Sequence, residues 1–196
     1  MLKLMEVNFK EFKKTIYPHY LELFPKNEQK SLRKIKKPYL KGITKLVKIV
    51  DEDVTVGFLI YNTLVGNKYV QLDYFAIFKK FQNKQYGTNA IHQFKKYFSD
   101  YNGIYGEIEK AGLGKDERDN EIREKRIKFW KSPGFVLLDF DLELFKVTYS
   151  PCILKIKDIE LDNNEIIEST FKIYNALLGK RRVNKNCLVL KDSEFV

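Results

Sequence analysis

Apolar residues at Phe9, Phe12, Ile16, Tyr20 and Leu23 recur at spacings of three and four, which predicts one helix face over residues 8–23. Asn8 suits its N-cap and Pro25 lies just past its end, while Pro18 inside it predicts a kink or break. A second short helix is expected over residues 28–39, with Arg33, Lys34, Lys36 and Lys37 on its surface. The period then falls to two. Residues 46–50 and 54–61 predict strands about a turn at 51–53, and residues 69–77 predict a third, nearly apolar on both faces. Gly87, Ala90, Ile91, Phe94 and Phe98 form one stripe of a helix over 85–98. A strand over 103–109 and a helix over 119–131, closed by Pro133 and Gly134, follow. Leu138, Phe140, Leu142 and Leu144 alternate with Asp139, Asp141 and Glu143 on a half-buried strand. Residues 149–156 predict another strand, 165–178 a last helix stopped by Gly179, and 186–190 a short final strand. This order predicts a mixed α/β fold of the α+β type, in one domain over residues 1–196 with no internal boundary.

Composition narrows the class. At 196 residues, 44% hydrophobic and 32% charged, the chain can bury a core without disulfides or a metal. No apolar run approaches the ~18 residues of a membrane span, and the first residues lack the apolar stretch of a secretory signal. Cys152 and Cys187 are expected to be free thiols of a cytoplasmic protein, and no His/Cys spacing suggests a metal site. The 36 Lys and Arg against 26 Asp and Glu give a formal charge of +10. That field attracts polyanions, whether nucleic acid, an acidic surface or a phosphate-bearing ligand, without choosing among them.

The junction at residues 76–88 carries the chemistry. A strand ends at Ala76, Ile77 and Phe78, a polar loop follows, and a helix opens at Gln85, Tyr86, Gly87 and Thr88. A helix start presents unpaired N–H groups and the positive end of the dipole to an anion, and Gly87 allows close backbone approach. Downstream, Phe129-Trp130 is followed by Gly134-Phe135. With these pieces in order, residues 46–156 resemble the GNAT family, the Gcn5-related N-acetyltransferases. Ala76, Ile77 and Phe78 resemble the end of the family's fourth strand, which runs beside the pantetheine arm of the acyl donor. Gln82, Asn83, Lys84, Gln85, Tyr86 and Gly87 resemble its pyrophosphate loop, with Gln85 where the family has its first glycine. The resemblance implies a GNAT fold, a mostly antiparallel sheet flanked by helices, and direct transfer of acetyl from acetyl-CoA to an unidentified amine without a metal. It also places Trp130 where the family commonly has a tyrosine that protonates the leaving thiolate. An indole N–H is no proton source near neutral pH, so Tyr74, Tyr105, Tyr149 or water would have to serve.

An attacking amine must first lose a proton. Period two puts Asp73 on the face of Gln71, Phe75 and Ile77, an acid in apolar company whose pKa burial would raise. Glu107 and Glu109 share a strand face ~6–7 Å apart by strand rise, close enough to oppose joint ionisation. Asp73, Glu107 and Glu109 are therefore the candidate catalytic acids. A second role is open to the glutamate pair, since a helical stripe of Ile122, Arg126, Phe129 and Trp130, with Arg123 nearby, needs acidic partners. Lys79, Lys80 and Lys84 flank the loop and could neutralise a further phosphate. Lys180, Arg181 and Arg182 are expected on the surface, and His19 and His92 are expected to be non-catalytic. Two alternatives stand: a non-catalytic, regulatory CoA-binding protein, and a basic nucleic-acid-binding module. Most aromatics fall on inferred core stripes, which speaks against the second.

Overall fold

The computed structural model describes residues 2–191, whose strands form one mixed sheet with helices on both faces. The strands are β1 (Lys3–Glu6), β2 (Thr44–Asp51), β3 (Val54–Asn62), β4 (Tyr69–Ile77), β5 (Gly103–Glu109), β6 (Val136–Leu137), β7 (Phe140–Leu144), β8 (Val147–Lys155) and β9 (Cys187–Lys191). Their order is β1-β2-β3-β4-β5-β8-β7-β9, with β6 paired to β8. Every pairing is antiparallel except β4–β5.

Two layers of helix follow from the apolar stripes. On one face α4 (Tyr86–Tyr97) sets Ala90, Ile91 and Phe94 against Val47, Leu59, Val70 and Ile104, joined by Trp130 from α5 (Glu117–Lys131). On the other face α1 (Phe9–Glu11), a π-helical stretch (Phe12–Ile16), α2 (Tyr17–Leu23) and α3 (Leu32–Leu40) pack Phe12, Ile16, Tyr20 and Ile35 on Leu46, Phe58 and Ile60. Beside them α6 (Asn163–Leu178) lays Ile166 and Ile173 on Tyr69, Tyr105 and Ile153. A short helix α7 (Lys180–Asn186) leads from α6 into β9. The gap between α3 and α6 leaves part of the sheet uncovered.

Several expectations change. The first helix starts as predicted, with Asn8 Oδ1 accepting from Glu11 N–H, but it is broken. Pro18 lacks an N–H and its ring crowds the preceding turn. The chain takes π geometry over residues 12–16, and the Tyr17 N–H reaches Phe12 O. The second helix begins at Leu32 rather than 28, because residues 26–28 form a turn and the irregular stretch after it is tied down by a side chain: Gln29 Nε2 donates to Leu21 O and Phe24 O. β1 is unpredicted because it is a four-residue, mostly exposed edge strand. The 135–144 alternation is interrupted at Leu138–Asp139, giving β6 and β7. Residues 147 and 148, expected to precede the next strand, already belong to β8. Phe145 and Lys146 turn the β7–β8 hairpin with positive φ (53° and 68°), without the usual Gly or Asn. On α5 the buried residue is Arg123, whereas Ile122 and Phe129 are exposed, so the inner stripe is shifted from the one expected. Among the described residues no helix is long and apolar enough to cross a membrane.

One close contact locks the centre of the sheet. A Cβ on Gly57 would lie 2.5 Å from Ala76 O and 2.9 Å from Ile77 Cδ1. Because the first obstacle is backbone, Gly57→Ala is expected to destabilise the fold by about 1–3 kcal/mol. Urea unfolding would show a lower midpoint at unchanged slope; an unmoved midpoint would mean that β3 and β4 can part without cost.

Candidate active site

The site begins where β4 and β5 stop pairing. Their parallel ladder runs only from Tyr69↔Gly103 to Gln71↔Tyr105. Opposite β3, the register jumps from Tyr61↔Leu72 to Ile60↔Tyr74, so Asp73 is the extra residue of a β-bulge. A bulge bends its strand, and here it marks the point from which β4 and β5 diverge. The opening is part of a cleft of about 1360 Å³ that reaches from the loop after β4 to α3 and α6.

The bulge also changes faces. Val70, Leu72, Phe75 and Ile77 pack into the α4 side, while Tyr69 and Tyr74 belong to clusters on the other. Asp73 therefore does not share a face with Phe75 and Ile77 as strict alternation predicts. Nor is it an acid in apolar company, because Lys30 Nζ donates to its Oδ1 and Oδ2 at 2.8 and 2.6 Å. Asp73 is 17% exposed and lines the cleft as half of an ion pair.

Glu107 and Glu109 do share a face, but their environments differ. Glu109 lies 3.5 Å from Arg123 Nε and 3.7 Å from Arg126 Nη1, and Arg126 also reaches Glu28 at 3.9 Å. Glu109 thus anchors α5 and helps Arg126 tie β5 to the turn after α2. Glu107 has no cation within ion-pair distance among the described residues. It accepts from Tyr174 at 2.7 Å and from Gln71 Nε2 at 3.2 Å. Gln71 Oε1 in turn accepts from Asn62 Nδ2 at 3.0 Å, and Asn62 Oδ1 from Thr44 Oγ1 at 2.6 Å. Thr44, Asn62 and Gln71 are buried, so each bond satisfies a group that would be costly alone. The chain crosses four strands and ends on one carboxylate. Burial pushes Glu107 up to about 7, opposed by the bonds from Tyr174 and Gln71. Repulsion from Glu109, the expected cause, is not what raises it.

At the other end of β4, Ala76, Ile77, Gln82, Asn83, Gln85, Tyr86, Gly87 and Thr88 line the cleft. Phe78 does not: it is buried in the opposite cluster with His19 stacked on it at 3.9 Å. Lys84 is exposed outside the lining, and Lys79 pairs with Glu22 at 3.0 Å. Gln82 Nε2 donates to Ile77 O at 3.0 Å, fastening loop to strand. Gln85 stands at the N-cap with φ 61°, and Asn83 also has φ 61°. Gln85 therefore keeps the left-handed backbone that glycine adopts most readily, at a cost of about 1 kcal/mol. No side chain caps α4, so its first N–H groups face the cleft. A Cβ on Gly87 would meet the Phe129 ring at 3.2–3.3 Å; the absent side chain makes room for Phe129 as well as for a ligand.

The remaining candidates separate cleanly. Trp130 packs on Phe75, Phe129 and Phe135 at centroid distances of 4.9–5.6 Å, a core role. Tyr105 is fully buried and does not line the cleft, and the Tyr74 hydroxyl donates to Glu28 O at 2.6 Å. Tyr149 lines the cleft and stays protonated, its hydroxyl pushed to about 12 by burial and the neighbouring carboxylates. Cys152 is buried and also raised to about 12 by burial, so it is no nucleophile at neutral pH. Arg182 is exposed as expected and also lines the cleft, its guanidinium over the Phe145 ring at 5.2 Å. Tyr174 and Arg182 gave no sequence signal as cleft residues. A tyrosine on α6 five residues before Gly179 looks like any amphipathic helix position.

No family model matches the sequence, and no curated protein does. Solved structures match its shape. A Bacteroides thetaiotaomicron protein assigned to the GNAT acetyltransferases superposes with a TM-score of 0.71 at 18% identity, covering 90% of this chain and 98% of its own. A spermidine N-acetyltransferase chimera built from the Vibrio cholerae enzyme gives 0.57 at 14% identity, over 79% and 95%. An aminoglycoside 6′-N-acetyltransferase complexed with coenzyme A gives 0.54 at 14% identity, over 81% and 99%.

The protonation of Glu107 has a measurable consequence. The folded state holds this proton to about pH 7, the unfolded chain only to about 4.5. The fold is thus favoured below the lower value, and stability falls as pH rises through the upper one, by about 3 kcal/mol for this group. Urea unfolding at pH 5 and pH 8 should show that loss in the native chain and a smaller one in Glu107→Gln. Equal losses would mean that Glu107 ionises normally.

Proposed function

We propose that this chain, whose fold is that of the GNAT N-acetyltransferases, moves the acetyl group of acetyl-CoA directly to an amine. The observation that carries the reading is the wedge between β4 and β5: at one end lies an uncapped helix start, at its apex a glutamate that, among the described residues, has neutral hydrogen-bond partners and no ion pair. The coenzyme A bound to the aminoglycoside enzyme of the same fold supports the choice of donor.

In this reading the diphosphate of the donor meets the N–H groups at Gln85, Tyr86, Gly87 and Thr88. The pantetheine arm lies along Ala76 and Ile77, whose backbone β5 no longer pairs. The acceptor enters between α3 and α6. Glu107, directly or through a water, takes a proton from the ammonium. The free amine then attacks the thioester carbonyl, and main-chain N–H groups of β4 stabilise the oxyanion. As the C–N bond forms and the C–S bond breaks, Tyr149 or water protonates the thiolate. Tyr174 and Gln71 orient the base. Asp73 and Glu109, offset by Lys30, Arg123 and Arg126, shape the cleft.

Trp130 favours one rival, a CoA-binding protein that no longer turns over, since the usual general acid is absent from that position. A thermal-shift titration tests what the two share: acetyl-CoA should raise the melting temperature, as any ligand of the native state must, and Gly87→Val should abolish the rise. Without any rise, the donor site is refuted.

Thiol release over a panel of amines separates the readings. The pH profile of kcat/KM should rise through a single limb near 7. Glu107→Gln should keep the thermal shift, lose that limb and slow turnover ~10²–10⁴-fold. Coenzyme binding with no turnover on any amine would favour the rival, and a fully active Glu107→Gln would remove the base assignment.

A further inference from the structure

The cleft is lined by four carboxylates and six cationic side chains, and their pairing is uneven. Asp73 is matched by Lys30, and Glu28 and Glu109 by Arg126. Glu107 has no cation within ion-pair distance among the described residues and is held near neutrality by burial. Four cations are left over: Lys34, Lys37, Lys41 and Arg182. Among the described residues none of them meets a carboxylate, although their neighbours Lys30 and Lys48 do.

Their placement is ordered. Lys30, Lys34, Lys37 and Lys41 recur at four, three and four residues, so one face of α3 and its flanks is a row of ammonium groups along the cleft wall. Lys34 to Lys41 spans about 10 Å of helical rise. Arg182 lies apart from this row: its guanidinium is held over Phe145, in the turn that follows β7 beyond the level of Glu109. The floor beside the row is the neutral chain of Thr44, Asn62 and Gln71 that leads to Glu107.

The C-terminal end of this row is not placed for the donor's diphosphate. Lys41 lies three residues before Thr44, whose register runs Thr44↔Asn62↔Gln71 across the sheet. The loop at residues 82–88 follows the other end of β4, about 20 Å away by strand rise. Like charges at helical spacing repel one another, and an anion bound among them relieves that repulsion.

We infer that the acceptor is a small amine that also carries a phosphate group, its amine at Glu107 and its phosphate on the α3 lysines. This inference rests on the acetyltransferase reading above and names its substrate class. It runs opposite to a polyamine acceptor, which this row of lysines would repel.

The test compares matched amines: glucosamine with glucosamine 6-phosphate, ethanolamine with phosphoethanolamine, and spermidine as the cationic extreme. Thiol release from acetyl-CoA gives kcat/KM, and calorimetry on the coenzyme A-saturated protein gives acceptor binding. At least one phosphorylated member should exceed its parent ~10-fold or more in kcat/KM or affinity, with the gain shrinking as salt is raised. In the Lys34→Gln/Lys37→Gln/Lys41→Gln variant that ratio should fall toward one, while the acetyl-CoA thermal shift stays at the native value. Equal handling of every pair, including no binding or turnover of either member, overturns the inference, as does preference for spermidine or a ratio unmoved in the variant. Loss of the acetyl-CoA shift in the native protein would instead count against the donor site, so the two failures are distinguishable.

Discussion

Two parallel strands that pair over three residues and then part govern the rest of this structure. A parallel ladder normally continues as long as both strands do, because each unpaired N–H or C=O carries a cost when it leaves water. Here β4 continues six residues past its last partner on β5. The bulge at Asp73 takes up the divergence on the β3 side, so β4 remains fully held on one edge while the other is free. Gly57, packed against Ala76 O, keeps that held edge close. That strand edge, which β5 leaves unpaired, is the surface on which the proposed donor site is built.

Around that opening, charge is handled in two ways. Acids at its margins are given cations: Lys30 for Asp73, Arg123 and Arg126 for Glu109. The acid at its apex is given only neutral donors, Gln71 and Tyr174. A carboxylate paired with arginine is a poor proton acceptor, since its charge is already stabilised; one held by neutral donors in a buried place stays basic. Three acids of similar appearance in the sequence therefore have unlike chemistry. The same logic separates the lysines, some bound to carboxylates and others left facing the cleft.

How much of this was legible from the sequence depends on the range of the interaction. The strand over 69–77, the polar loop and the stripe of α4 were readable because period and turn chemistry are local. The shared face of Glu107 and Glu109 followed from alternation along seven residues without irregularity. Alternation misplaced Asp73 because a bulge adds a residue with no mark in composition. The π-helical stretch before Pro18 and the shifted inner face of α5 belong to the same class: the period was right and its phase was set by packing.

The sequence by itself determined most of the order of helices and strands, the loop proposed to meet the diphosphate and a short set of candidate acids, since each is written in neighbours a few residues apart. Only the tertiary structure decided which acid meets a cation and which meets neutral donors, because the deciding partners are remote: Lys30 lies 43 residues from Asp73 and Tyr174 67 residues from Glu107. A pKa responds to charge and solvent within a few ångströms, and which groups come that close is a property of chain packing rather than of chain order.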